Sequence, residues 1–421
     1  MKMKRRDLLQ LAGWTWLSAT TAVARAAVPT SQNKLVVVML RGAVDGLSIV
    51  TPYGDSHYAQ SRDAIRLAAP GADGGLLQLD NLFGLNPALS PLMPYWQRGQ
   101  LGFVHASGSP DPTRSHFDAQ DYMESGTPGL KSTNDGWLNR MLQAMPGTAS
   151  PTRAVNMGAT LPRIFTGQAE VASLGLGAKA FAHEAIDDPR TQAALARMYA
   201  QDTQLSHTFD AATEGRGEMQ RSMADDSMSG SDPTGMDPRI DRGAPSANGF
   251  AADAQRLGRL IQRDPHTQLA FTSVGGWDTH INQGGAKGQL ANKLGALGHG
   301  LDALAQGLGP AMSNTVVVVM SEFGRTVREN GTHGTDHGRG NVMWLLGGPV
   351  NGGRVHGEWP GLETSALADG RDLAVVSDFR AVLASVAQRH LGMDEAAMAK
   401  VFPSAHEGWS AWKGQALVRS A

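Results

Sequence analysis

The sequence predicts an α/β fold in which a mostly parallel central sheet is covered by helices on both faces. Two observations carry this expectation. Several short, continuously apolar runs have strand length, as strands buried on both sides do. Longer segments with helical spacing lie between them, and alternation of the two is the signature of one sheet wrapped by helices.

The first strand is expected at Lys34-Leu35-Val36-Val37-Val38-Met39-Leu40 and the second at Leu101-Gly102-Phe103-Val104-His105. Residues 268–274 give a third, and Thr315-Val316-Val317-Val318-Val319-Met320, with its run of β-branched side chains, is the strongest. Val342-Met343-Trp344-Leu345-Leu346 follows it. Helical spacing predicts helices over 117–125, 190–201, 251–263, 287–306 and 378–391. Residues 212–248, rich in Gly, Ser, Asp, Pro and Met, are expected to form a flexible surface insertion. Its methionines (Met219, Met223, Met228, Met236) have no accompanying His, so a solvated loop is favoured over a copper tract.

Ahead of this lies a segment of another character. Lys4-Arg5-Arg6-Asp7-Leu8-Leu9 opens a modestly apolar stretch that ends at Ala24-Arg25-Ala26. This is the pattern of a twin-arginine signal peptide over residues 1–26, cut before Ala27. The apolar run is too short and too rich in small and hydroxylated residues to serve as a stable membrane anchor. The expectation is a single domain over 27–421, handed folded to the twin-arginine translocase and delivered to the periplasm or beyond.

Composition narrows the chemistry. The formal charge of the full chain is -2, and loss of the basic leader would take it to about -6. There is no basic stripe to follow a phosphate backbone, so nucleic acid is not an expected partner. The absence of cysteine excludes disulfides, zinc–thiolate sites, iron–sulfur clusters and a thiol nucleophile. With no strand–Gly-x-Gly-x-x-Gly–helix fingerprint either, an exported redox enzyme has little support. A metal would have to be held by His and carboxylates, which points to zinc, manganese, magnesium or calcium.

Ligands in open α/β sheets gather beyond the carboxyl ends of the strands, and four of the predicted strands are followed there by polar residues. Asp45 sits in the Gly-flanked loop after the first strand, where it is either a turn former or a carboxylate over the sheet edge. Arg114-Ser115-His116 opens a helix after the second. Ser115 there is an N-cap or a hydroxyl aimed, with the helix dipole, at an anion. Asp278 and His280 form a metal half-site after the third. Glu322, at the end of the strongest strand, needs a partner or a metal if buried. Arg325, His333, Asp336 and His337 follow in a Gly-rich loop.

Taken together, Leu40-Arg41-Gly42-Ala43-Val44-Asp45-Gly46-Leu47, Arg114-Ser115-His116-Phe117-Asp118-Ala119-Gln120, Gly276-Trp277-Asp278-Thr279-His280, Ser321-Glu322-Phe323-Gly324-Arg325-Thr326 and Asp336-His337-Gly338 resemble a bacterial exported domain-of-unknown-function family, number fifteen-oh-one. That family lies near the alkaline phosphatase and sulfatase superfamily. The resemblance covers essentially the whole chain after the leader. It implies an alkaline-phosphatase-like three-layer sandwich and metal ligands at Asp45, Asp278, His280, Glu322 and His337, with Asp336 or His116 able to stand in at a second metal. Ser115 would lie near the nucleophile position. Phe323 stands where the superfamily has a His. Pro110 stands where sulfatases carry the residue that becomes formylglycine, which disfavours that type of sulfatase.

The expected function is an exported metal-dependent hydrolase of phosphate or sulfate esters, acting on a small anionic ester or a sulfated or phosphorylated glycan. Ser115 or a water would attack, Arg114 or Arg325 would clamp the anion, and His116 or His333 would act as general acid. The alternative is a non-catalytic, hydrolase-like scaffold that binds a glycan, an anion or a protein. Export in a folded state would allow the metal, manganese or magnesium as well as zinc, to be chosen in the cytoplasm.

Overall fold

Why the apolar runs become a sheet is visible in their alternation. In the computed structural model, which describes residues 32–158, 160–177, 184–222, 238–403, 412 and 414–419, β1 (Lys34–Leu40) is buried along its whole length. Val36, Val38 and Leu40 enter one hydrophobic cluster and Leu35, Val37 and Met39 the other. The period of two sends successive side chains to opposite faces, so the strand needs cover on both.

Eight further strands join it: β2 (Leu101–Gly108), β3 (Ala154–Met157), β4 (Ala172–Leu174), β5 (Leu269–Val274), β6 (Thr315–Ser321), β7 (Asn341–Leu346), β8 (Val355–His356) and β9 (Ser377–Asp378). Their order is β8-β2-β7-β6-β1-β5-β3-β4, with β9 also on β2. Every pairing is parallel except those of β7, which runs antiparallel to both β2 and β6. The predicted strands correspond to β1, β2, β5, β6 and β7. The short strands β3, β4, β8 and β9 lie toward the two sides of the sheet.

One face is covered by α5 (Phe250–Arg263) and α6 (Gln289–Leu308), through Leu257, Leu260, Leu294, Leu297 and Leu301. The other is covered by α2 (Trp137–Ala144), α7 (Phe379–His390) and α8 (Glu395–Val401), through Leu138, Met141, Val382, Val386 and Met398. The three-layer α/β architecture expected from the sequence is therefore the one observed. Two more helices, α3 (Pro189–Tyr199) and α4 (Thr203–Ser222), precede α5, and α1 (His116–Ser125) follows β2.

One expected feature differs. Residues 212–222, assigned to a flexible insertion, are the second half of α4, and Met219 is buried in the core rather than solvated. The helix survives its polar composition because this apolar side chain has a core to enter. Residues 223–237, with Met223, Met228 and Met236, lie outside the described residues, as does the expected leader. Among the described residues no helix is long and apolar enough to cross a membrane.

The loops at the carboxyl edge are pinned by a buried ion pair. Asp45, fully buried, faces Arg62 through two contacts: Nη1 to Oδ2 at 2.5 Å and Nη2 to Oδ1 at 3.0 Å. Ser48 Oγ and Gln283 Nε2 also donate to Oδ2 (2.7 and 2.8 Å). Arg62 donates onward to the carbonyls of Thr326 and Val327. Burial opposes ionisation of Asp45, but Arg62 and the two polar donors outweigh it and hold its pKa below the usual value. Its stabilisation is therefore present above about pH 4 and lost as the pH falls through the lowered pKa.

Arg62→Leu, which strands a buried carboxylate, is expected to lower the unfolding free energy by about 3–5 kcal/mol. Asp45→Asn combined with Arg62→Leu should recover part of that. Urea denaturation of the three proteins at pH 7 measures both effects.

Candidate metal centre

Five of the predicted residues come together at the carboxyl edge, each carried by a different local feature. His116 is the first residue of α1, capped by Ser115, whose hydroxyl accepts from Asp118 N at 3.5 Å. Asp278 and His280 sit in the turn after β5. Gly42, with φ at +111°, lets the loop after β1 lie against that turn: a Cβ there would stand 2.8 Å from Asp278 N. Gly334 performs the same service for the loop bearing His337, since a Cβ there would lie 2.1 Å from the carbonyl oxygen of His280. Glu322 is the residue after β6.

Three imidazole nitrogens gather around the two oxygens of one carboxylate. His116 Nε2 faces His337 Nε2 at 3.1 Å, and His337 Nε2 faces His280 Nε2 at 3.0 Å. Asp278 Oδ1 lies 3.0 Å from His280 Nε2 and 3.3 Å from His337 Nε2, while Oδ2 is 3.6 Å from His116 Nε2. His116, Asp278 and His337 together could hold a metal ion, and His280 adjoins them.

The outward nitrogens explain why the inward ones are Nε2. His116 Nδ1–H donates to Glu322 Oε1 at 2.8 Å. His337 Nδ1–H donates to the carbonyl of Arg114 at 2.9 Å. His280 Nδ1 is 3.5 Å from Asp336 Oδ1. An acceptor at Nδ1 fixes the tautomer whose lone pair is on Nε2, which is how metal-ligating histidines are oriented. Lone pairs facing at 3.0–3.1 Å repel unless a proton or a cation lies between them. Zinc donors at about 2.0–2.1 Å from the ion in a tetrahedron stand about 3.3 Å apart, close to the 3.1–3.6 Å found among His116, Asp278 and His337, so these three residues fit a metal.

Electrostatics agree. Burial disfavours the charged form of His116, but Asp278 and Glu322 raise its pKa to about 9. Asp278 is held far below the ordinary carboxylate value, its burial outweighed by hydrogen bonds from the three histidines and by Arg325. Glu322, against the cost of burial, is brought down to about 2 by His116 and Gln120.

Several predicted site residues have partners of another kind. Asp45 does not face the histidines: its oxygens are taken up by Arg62, Ser48 and Gln283. Glu322 is not a direct ligand of this cluster; it accepts from Gly42 N, Gln120 Nε2, His116 and Ser321 Oγ, and so orients His116. Asp336 backs His280 and accepts from Asn330 Nδ2. Arg325 is buried and spends its donors on the carbonyls of Gly42, Ala43, Trp277 and Thr335 and on Asp278 Oδ1 at 2.5 Å. Arg114 is engaged by Asp372 and Asp369, and its carbonyl is what positions His337. Ser115 is exposed and caps α1. The exposed ring of His333 lies beside Glu329 at 3.9 Å.

Two contributors escaped the sequence reading. Gln120 donates to Glu322 from one turn along α1, an i, i+4 relation to His116 that the helix prediction could have exposed. Phe323, read as a missing His, stacks near His116 and His337 with ring centroids 4.9 and 5.0 Å away and walls off the cluster on that side.

The family model described as "Protein of unknown function (DUF1501)" matches residues 82–402. No curated protein matches the chain. Similar solved structures include an alkaline phosphatase superfamily protein from Vibrio parahaemolyticus, 11% identical, covering 82% of this chain and 69% of that one with a TM-score of 0.34. Another is the C-terminal periplasmic domain of EcEptC from Escherichia coli in complex with Zn (13%, 75% and 73%, 0.34). A third is alkaline phosphatase from the Antarctic bacterium TAB5 (11%, 75% and 90%, 0.29). At these scores the overlap is loose.

Because the raised pKa leaves His116 protonated in the ion-free protein at pH 7.5, zinc should displace about one proton per ion bound, a release that disappears above about pH 9. Titration calorimetry of the metal-stripped protein in buffers of different ionisation enthalpy measures it.

Proposed function

This chain belongs to the family of proteins of unknown function DUF1501, and we propose that it is an exported, metal-dependent hydrolase of phosphate or sulfate esters. The observation that supports this most is the convergence of His116, His280 and His337 Nε2 with Asp278, each Nδ1 facing an acceptor outside the cluster. The two imidazoles and one carboxylate of His116, His337 and Asp278 suit zinc better than magnesium or calcium, which prefer all-oxygen donor sets. A divalent ion held there supplies Lewis acidity toward an anionic ester oxygen or a water.

The chain's own residues do the rest. Glu322 holds the His116 ring and compensates its charge from behind. Arg325 fixes Asp278 Oδ1 and balances part of the negative charge on the site. His280, the most exposed of the three rings, is where a substrate would meet the cluster. With Ser115 committed to capping α1, the attacking group in this scheme is water.

The engagement of Arg114 and Arg325 favours a second reading, a metal-binding scaffold that recognises a glycan or protein without turnover. A screen of aryl phosphates, phosphodiesters and aryl sulfates with zinc- and manganese-loaded protein separates the two. Hydrolysis that falls at least 100-fold in both Asp278→Ala and His337→Ala supports the enzyme; full metal occupancy with no turnover on any ester supports the scaffold. Glu322→Gln, which weakens the support of His116, is expected to lower metal affinity about 10- to 100-fold, read by competition with a chromogenic chelator.

A further inference from the structure

Beyond the His–Asp cluster, the carboxyl ends of β3 and β5 border a cavity of about 220 Å3 whose walls include Arg41, Arg163, Arg242, Glu124, Asn156 and Ser273. Arg41 is the residue that immediately follows β1, and its side chain is 3% exposed. Its Nη1 lies 2.8 Å from Glu124 Oε1 and donates to Gln120 Oε1 at 2.6 Å, while its Nε–H, buried, has no acceptor among the described residues. Arg163 Nε is likewise buried without an acceptor. Arg242 reaches Asp121 at 2.9 Å and Glu124 at 3.7 Å from a backbone held at a positive φ of 48°. A bulky residue in that region is strained, and such strain is kept where the surrounding structure needs the side chain placed.

Three guanidinium groups thus share two carboxylates, Glu124 and Asp121, which leaves one positive charge. A buried donor without an acceptor carries its full desolvation cost, and among the described residues two such donors, with one buried acceptor that receives no hydrogen bond (Glu124 Oε1), belong to residues lining one cavity. The space is smaller than the roughly 300–1,000 Å3 of pockets for drug-sized ligands. Planar guanidinium forks suit oxyanions. We propose that this cavity is a binding site for a small oxyanion-bearing ligand (phosphate, sulfate or a small carboxylate), separate from the metal cluster. The site does not depend on the ester-hydrolase reading. It is joined to the cluster by a hydrogen-bonded line, Arg41 to Gln120 to Glu322 to His116, with steps of 2.6, 3.0 and 2.8 Å.

Because an oxyanion would also bind a metal ion, the test uses full-length protein stripped with chelator. Sulfate, inorganic phosphate and succinate are titrated calorimetrically against sodium chloride of matched ionic strength. The expected result is saturable binding by the stripped protein, weakened at least tenfold in Arg163→Gln/Arg242→Gln, with zinc affinity of the variant within twofold of the parent. Arg163→Gln alone, at a half-exposed side chain, serves if the double variant does not fold, and should also weaken binding. No binding by the stripped protein, or equal affinity in parent and variants, overturns the proposal. Binding seen only after zinc is restored assigns the anion to the metal cluster and overturns it equally.

Discussion

The carboxyl edge of this sheet is organised around one buried carboxylate. Glu322, the residue after β6, has no solvent exposure, and an unpaired charge there would cost several kcal/mol. Its cost is met by donors from three directions: the amide of Gly42 after β1, Gln120 and His116 on α1, and its own neighbour Ser321. Ser321 shares its single hydroxyl hydrogen between Glu322 Oε2 and Leu40 O, and accepts from Val44 N. Satisfying this one group therefore sets the start of α1, the turn after β1 and the tautomer of His116 together. Such a network, fully satisfied, specifies a single arrangement.

The same accounting explains why the arginines do not behave as expected from sequence. A guanidinium has five donors and no acceptor, so a buried one must find several oxygens. Arg325 finds four carbonyls and Asp278, and Arg62 finds Asp45 and two carbonyls. Both stitch irregular loops that have no ladder of their own to satisfy their backbone oxygens. Among the described residues Arg41 and Arg163 each leave Nε without an acceptor, and both line a cavity apart from the histidines.

Legibility followed the strength of local constraint. β1 and β6 were readable to within a residue because continuous apolar runs are intolerable outside a core. α5 and α6 were readable because their leucines recur at helical spacing. β8 and β9, two residues each, are held by pairing with β2 and have no pattern of their own. The latter half of α4 looked like linker because its composition is polar, and only Met219 reaching the core betrays it. At the site, the types and approximate places of the ligands were visible, since Asp, Glu and His after consecutive strands must share one edge.

The sequence by itself determined the layer architecture, the edge at which polar residues collect and the exclusion of thiolate chemistry, because each follows from hydrophobic periodicity or from composition. Tertiary structure alone decided which carboxylate faces the histidines. Asp45 and Glu322 look equivalent to Asp278 along the chain, yet Arg62 takes up the first and His116 Nδ1 the second. That choice rests on contacts between residues 17 to 280 positions apart, which no local pattern encodes.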